Sequence, residues 1–155
     1  MEDGLRSRIC MAVATGLGLG YVPVAPGTAG ALGGIILVFL CDVLGWFFGV
    51  VLVMALFVAG CHCATLAEIR LGQEDPQKVV IDEVVGMAIA MAFISISWYS
   101  IAIQFFLFRL FDIVKPFPVK QMENMFSGGL AIMMDDLMAG LMANVFFRIG
   151  SLFLS

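Results

Sequence analysis

Three apolar stretches of this sequence contain charged residues whose types suit metal and phosphate chemistry. They are Asp82 and Glu83 in the first stretch, Arg109, Asp112 and Lys115 in the second, and Asp135 and Asp136 in the third. Five clustered carboxylates would repel one another unless a cation lay among them, and all-oxygen ligands without His or Cys suit Mg²⁺ or another hard ion. Arg109 and Lys115 add fixed positive charge of the kind that binds phosphate.

A glycine-rich and proline-rich segment at residues 16–30 is a candidate phosphate-binding turn. Pro26 and Gly27 impose irregular backbone, and Thr28 is a favourable residue type for the N-cap of the helix that follows. Free backbone N–H groups at such a helix start attract anions, so Pro26, Gly27 and Thr28 are predicted to contact phosphate. The alternative is a flexible linker, because glycine-rich segments are common without any ligand.

The same charges could instead form structural ion pairs or solvated helix ends. Arg109, Asp112 and Lys115 are spaced by three and fall on one helix face, whereas the neighbours Asp82 and Glu83 point about 100° apart. Pairing accounts for any one of these residues. It does not account for the number of the charges and the excess of acid over base.

The composition shows which elements must position these residues. Of 155 residues, 62% are hydrophobic and 13% are charged, with a mean hydropathy of +1.07, whereas soluble domains carry about 25% charged residues. We therefore expect an all-α integral membrane protein with a single domain over residues 1–155. The net charge of −4 leaves no basic surface for nucleic acid.

Polar interruptions divide the apolar sequence into five candidate membrane segments. They are residues 29–41, 46–67, 79–97, 99–115 and 130–154, with a surface or re-entrant helix at 5–20 and an amphipathic interfacial stretch at 116–129. An N-terminus inside the cell places all the Lys and Arg residues except Arg148 on the cytoplasmic side. Trp46, Trp98 and Tyr99 then mark the outer face, and the charged cluster faces the cytoplasm.

Four sequence blocks carry a resemblance to a known family. They are P-V-A-P-G-T-A-G at 23–30, I-D-E-V-V-G at 81–86, F-R-L-F-D-I-V-K-P-F-P at 108–118 and G-G-L-A-I-M-M-D-D-L-M-A-G at 128–140. In this order they resemble the phosphatidylglycerophosphatase A family, although Ala31 and Ala131 depart from its usual residues. The resemblance implies a Mg²⁺-dependent enzyme of the bacterial inner membrane that converts phosphatidylglycerophosphate to phosphatidylglycerol. It also implies functional roles for Thr28 and for the seven charged residues named first.

The sequence thus predicts a lipid phosphatase whose phospholipid substrate stays in the bilayer while its headgroup enters the site. The predicted Mg²⁺ ligands are Asp82, Glu83, Asp135 and Asp136. Asp112 is either a further ligand or the group that orients the attacking water, and Arg109 and Lys115 hold the phosphate. The main alternative is a small cation transporter or channel subunit, and a weaker one is a structural subunit of a larger complex. The number of metal ions and the oligomeric state stay open.

Overall fold

A computed structural model describes residues 2–154 of the chain, with side chains described for residues 4–121 and 125–153. Within this range the chain is helical and contains no strand, as predicted. The helices are α1 (Glu2–Ala14), α2 (Pro26–Leu44), α3 (Trp46–Leu71), α4 (Ile81–Ala90), α5 (Trp98–Val114), α6 (Val119–Met125) and α7 (Gly129–Leu154), with a short 3-10 helix at Gly16–Tyr21 between α1 and α2.

Three of these helices are long and apolar enough to cross a membrane. The segments are Pro26–Leu44, Trp46–Leu71 and Gly129–Phe153. At 1.5 Å per residue the shortest of them, with 19 residues, extends for about 28 Å, which is close to the thickness of the hydrocarbon core. The segment predicted at 29–41 is therefore longer than expected, because the helix already begins at Pro26 and includes Asp42 in its last turn.

The segment predicted as one membrane helix at 79–97 is broken, and this prediction was wrong. Helix α4 ends at Ala90 after ten residues, and residues 91–97 are turns and irregular backbone. Ten residues extend only about 15 Å, half the hydrocarbon thickness. Helix α5 then begins beside Ser97, whose side chain accepts a hydrogen bond from the backbone N–H of Ser100 in a reciprocal capping box.

Helix α1 packs on the carboxyl-terminal half of α3. Arg6 Nη2 lies 3.2 Å from His62 Nε2, and the side chains of Arg70 and Ser7 are hydrogen-bonded. Helix α6 packs on α7 within the stretch predicted to be amphipathic. The interfacial location of α1 and α6 stays a prediction.

Helix α4 lies at the centre of the bundle, in contact with α2, α5 and α7. A Cβ atom on Gly34 of α2 would lie 2.7 Å from the carbonyl oxygen of Val84, and one on Gly86 would lie 2.7 Å from Phe108 Cε2. Both positions require glycine because the helices approach too closely for a side chain. This close packing brings the amino ends of α2, α4 and α7 to the same end of the bundle.

Candidate active site

A cavity of about 390 Å³ opens where these helix ends meet. All seven charged residues predicted from the sequence line it, as do Pro26 and Gly27. Its lining also includes Ala25, Asp75, Gln77, Val79 and Ile132. Residues up to 111 positions apart in the sequence thus form one polar site.

Helix direction favours two of the acids of this site. Asp82 and Glu83 lie in the first turn of α4, whereas Asp135 and Asp136 lie in the second turn of α7 and Asp112 lies in the last turn of α5, where this effect does not favour them. The amino end of a helix carries partial positive charge and favours carboxylates and phosphates. Lys115 follows the carboxyl end of α5, where a cation is favoured for the same reason.

The two basic side chains pair with acids of the site. Arg109 Nη1 lies 2.5 Å from Asp112 Oδ2, across three residues of α5, and 3.6 Å from Glu83 Oε1 of α4. Lys115 Nζ lies 2.5 Å from Asp135 Oδ2 of α7. The structural ion pairs considered from the sequence are therefore present, and they join the three charged stretches.

Pairing leaves several carboxylate oxygens unmatched. Asp82 Oδ1, Glu83 Oε2 and Asp136 Oδ2 are buried and have no hydrogen-bond partner among the described residues. Asp82 and Asp136 are only 8% and 3% exposed. A buried carboxylate oxygen without a donor is costly, and a bound cation would remove that cost.

The spacing of these oxygens fits a hard cation. Two groups, Asp82, Glu83 and Asp136, and Asp112, Asp135 and Asp136, each offer oxygens within 4.8 Å of one another. Ligands on opposite sides of Mg²⁺ are about 4.2 Å apart at bond lengths of about 2.1 Å, so a small inward movement of the side chains would complete either group. Asp136 belongs to both groups.

The amino end of α2 differs in detail from the sequence prediction. The N-cap residue is Ala25, with φ of 52°, and Pro26 is the first helical residue, where its fixed φ suits a helix start. Thr28 is therefore inside the first turn, its N–H donates to Ala25 O at 3.0 Å, and it is absent from the cavity lining. The prediction of Thr28 as N-cap was wrong. Gly27 instead lies against Glu83 and Arg109.

The connection between α3 and α4 contributes two residues that the sequence analysis missed, Asp75 and Gln77. The backbone N–H of Asp75 donates to Glu68 Oε1 at 3.1 Å. Asp75, Ala25 and Lys115 all line the cavity with positive φ, a conformation that costs energy for residues other than glycine and clusters at functional sites. The run Glu74-Asp75-Pro76 could have indicated these residues, because the connection that leads into a helix of the site can place acidic side chains beside the amino end of that helix.

The opposite end of the bundle has a different character. A second cavity of about 340 Å³ is lined mostly by apolar residues from the end of α2, the start of α3 and the segment after α4. Trp46 lies there, and Trp98 and Tyr99 begin α5 after that same segment. The aromatic residues and the charged site are thus at opposite ends, as predicted. Which end faces the cytoplasm stays a prediction.

The fold and the cavity define an integral membrane protein with a buried acidic site that also holds basic side chains. The model of the phosphatidylglycerophosphatase A family matches residues 12–151. The chain belongs to this family, whose members are phosphoric monoester hydrolases.

Three curated relatives illustrate the similarity. A putative phosphatidylinositol-3-phosphatase of Bacteroides thetaiotaomicron is 44% identical over 137 residues, covering 83% of this chain and 84% of the relative. Phosphatidylglycerophosphatase A of Haemophilus influenzae is 39% identical over 133 residues, covering 84% and 82%. Phosphatidylglycerophosphatase A of Escherichia coli is 33% identical over 157 residues, covering 96% and 91%. No solved structure matches the chain significantly.

Proposed function

We propose that the chain hydrolyses the terminal phosphate monoester of phosphatidylglycerophosphate, with Mg²⁺ as cofactor, and releases phosphatidylglycerol and phosphate. The observation that carries this proposal is that Arg109 and Lys115 line the same cavity as buried carboxylate oxygens without donors. The names of the Haemophilus and Escherichia relatives support the substrate.

Asp82, Glu83 and Asp136 are our proposed ligands of one Mg²⁺, and Asp112 and Asp135 form a second ligand group with Asp136. Two-metal phosphatases hold their ions about 3.5–4 Å apart, and a shared carboxylate suits that arrangement. When bound, Mg²⁺ supplies charge that stabilises the negatively charged transition state of phosphoryl transfer.

Arg109, Lys115 and the amino end of α2 at Gly27 would bind the phosphate. Both basic side chains would exchange a carboxylate partner for phosphate oxygens, and the guanidinium suits bidentate contact with them. Once Arg109 has moved to the phosphate, the oxygen of Asp112 that it paired with would accept a proton from the attacking water, while the other oxygen stays available to the second ligand group. The water oxygen bonds to phosphorus, the bond from phosphorus to the glycerol oxygen breaks, and the glycerol oxygen takes up the proton that Asp112 accepted and leaves as an alcohol.

We further propose that the site faces the cytoplasm in a bacterial inner membrane. The half of the bundle that contains the site also contains Arg6, Arg70 and Lys78, whereas Arg148 lies near the other end. The cytoplasmic flanks of membrane proteins are enriched in Lys and Arg, which supports this orientation. The lipid tails then remain in the bilayer while the headgroup enters the cavity.

Phosphatidylinositol 3-phosphate is a second candidate substrate, because the Bacteroides relative carries the name of a putative phosphatase for it. Both lipids present a phosphate monoester on a headgroup that is itself joined through a phosphodiester.

The cation transporter considered from the sequence is less well supported. Among the acids whose side chains the structure describes, only Asp42 lies at the end away from the site, and the family consists of hydrolases.

Phosphate release by the purified protein in detergent tests the proposal. The substrates are phosphatidylglycerophosphate, phosphatidylinositol 3-phosphate and phosphatidic acid, each with Mg²⁺ and with EDTA. We expect kcat/KM to be highest for phosphatidylglycerophosphate, and release to stop in EDTA. Asp136→Asn should abolish release, whereas Asp42→Asn, at an exposed acid of the other end, should not change it. Equal activity in EDTA would contradict the proposed cofactor. A higher kcat/KM for phosphatidylinositol 3-phosphate or phosphatidic acid would contradict the proposed substrate.

A further inference from the structure

The carbonyl groups at the broken end of α4 are satisfied by a side chain of α7. Asn144 Nδ2 donates to the carbonyl oxygens of Ile89, Ala90 and Ala92 at 3.3, 2.8 and 2.9 Å. The last carbonyls of a helix have no partner within the helix, and in a bilayer no water replaces one. Asn144 therefore lets α4 end within the protein after ten residues.

Arg148, the basic residue that stood apart in the sequence analysis, completes this cap. Its Nη2 donates to the carbonyl oxygens of Ala92 and Phe93 at 3.0 and 2.9 Å, and its Nε donates to Asn144 Oδ1 at 2.7 Å. The bond to Oδ1 turns the amide nitrogen of Asn144 towards α4. A positive charge at the carboxyl end of a helix is also favourable.

The cap lies at a fixed distance from the acids of the site on both helices. Helices α4 and α7 run in the same direction. Each residue of α4 that contacts α7 in this way lies beside the residue 54 positions later in the sequence. The meeting pairs are Asp82 with Asp136, Gly86 with Gly140, and Ala90 with Asn144. A Cβ atom on Gly140 would overlap the carbonyl oxygen of Gly86. Eight residues, or about 12 Å, separate the first pair from the third on each helix.

We propose that Asn144 and Arg148 are positioning residues for the cation-binding acids. By holding the end of α4 against α7, they fix the register in which Asp82 lies beside Asp136. A slip of one residue would move Asp82 by about 1.5 Å along α7, which is enough to separate the ligands of one ion. The inference rests on the proposed function in one respect, namely that these acids bind a divalent cation.

Binding of Mn²⁺ to the purified protein in detergent, followed by electron paramagnetic resonance of the free ion, tests the inference without relying on activity. Asn144→Leu removes the side-chain donors and keeps the number and branching of the side-chain heavy atoms, and we expect about tenfold weaker Mn²⁺ binding. Arg148→Met keeps Asn144 but not its orientation, so the loss should be smaller, and Arg148→Lys should restore part of it. Ser151→Ala is the matched control, because among the described residues its hydroxyl donates to Arg148 O of its own helix.

Activity should change in a way that a purely structural cap would not produce. Misplaced cation ligands lower kcat and raise the Mg²⁺ concentration needed for activity, while KM for the lipid changes little. If Asn144→Leu does not fold, Mn²⁺ binding by Arg148→Met tests the inference instead. Normal Mn²⁺ binding by a folded cap variant with reduced thermal stability would overturn the inference and leave the proposed function intact. Absence of Mn²⁺ binding by the unaltered protein would instead contradict the proposed cation site, and the inference with it.

Discussion

Replacing Gly27 by Ala should lower activity without lowering stability. A Cβ atom at this position would overlap Glu83 Oε1 and would lie 3.1 Å from both terminal nitrogens of Arg109. These atoms are the ends of flexible side chains, so they can move without any backbone shift. Ala is favoured over Gly within a helix by up to about 1 kcal/mol, so the free energy of unfolding should stay constant or rise by up to about that amount.

The cost to activity follows from the displacement that the new methyl group forces. To reach van der Waals contact, the Glu83 carboxylate must move by roughly 1 Å and Arg109 by a few tenths of an ångström. A misplacement of about 1 Å in a catalytic arrangement can cost about 100-fold in rate. We therefore expect kcat/KM of Gly27→Ala to fall by about 100-fold.

Phosphate release and thermal unfolding in detergent, measured on the same preparations, check this prediction. Two other glycines supply controls. A Cβ atom on Gly34 would lie 2.6 Å from Met87 Cβ and 2.7 Å from the carbonyl oxygen of Val84, so Gly34→Ala should lose about 1–3 kcal/mol of stability. Gly150→Ala, in open space, should change neither property. Full activity in Gly27→Ala would refute the reasoning, because Glu83 and Arg109 would then not need their observed positions.

Three further predictions concern the site and its orientation. Arg109→Lys should lower kcat/KM by about tenfold or more, roughly 1.4 kcal/mol, with a nearly unchanged Mg²⁺ requirement; recovered activity in Arg109→Leu combined with Asp112→Leu would mark a structural ion pair instead. Asp135→Asn should fold but need much more Mg²⁺ or lose activity, and normal turnover at unchanged Mg²⁺ would remove Asp135 from the ligand set. Cysteine labelling in whole cells should reach Gly45→Cys from outside, and Lys120→Cys only after the membrane is opened; the reverse pattern would contradict the cytoplasmic site.

The site was easier to predict than the helix boundaries because charge is costly within a membrane. Asp82, Arg109 and Asp136 stand out in apolar sequence for that reason alone, and the structure brings them into one cavity. The i,i+3 spacing of Arg109 and Asp112 also predicted their shared helix face, and the two side chains pair. The roles assigned to these residues stay predictions.

The end of α4 could not be predicted from local sequence. Five of the seven residues after Ala90 are apolar and none is charged, which is the pattern of an unbroken span. The break depends on donors from Asn144 and Arg148, more than fifty residues further along the chain. Thr28 illustrates a competition between two local signals, because Thr favours an N-cap and Pro26 favours the first helical position.

The net charge of this protein equals the formal charge of its cavity lining. Six acidic and two basic side chains line the cavity, which gives a formal charge of −4 that equals the net charge of the whole chain. The residues outside the cavity lining include equal numbers of acidic and basic residues. A phosphate monoester, with a charge of about −1.5 to −2 near neutral pH, would be repelled by the empty cavity and attracted once divalent cations have entered. We therefore expect ordered addition, with cation before lipid, so that the apparent KM for the lipid falls as the Mg²⁺ concentration rises.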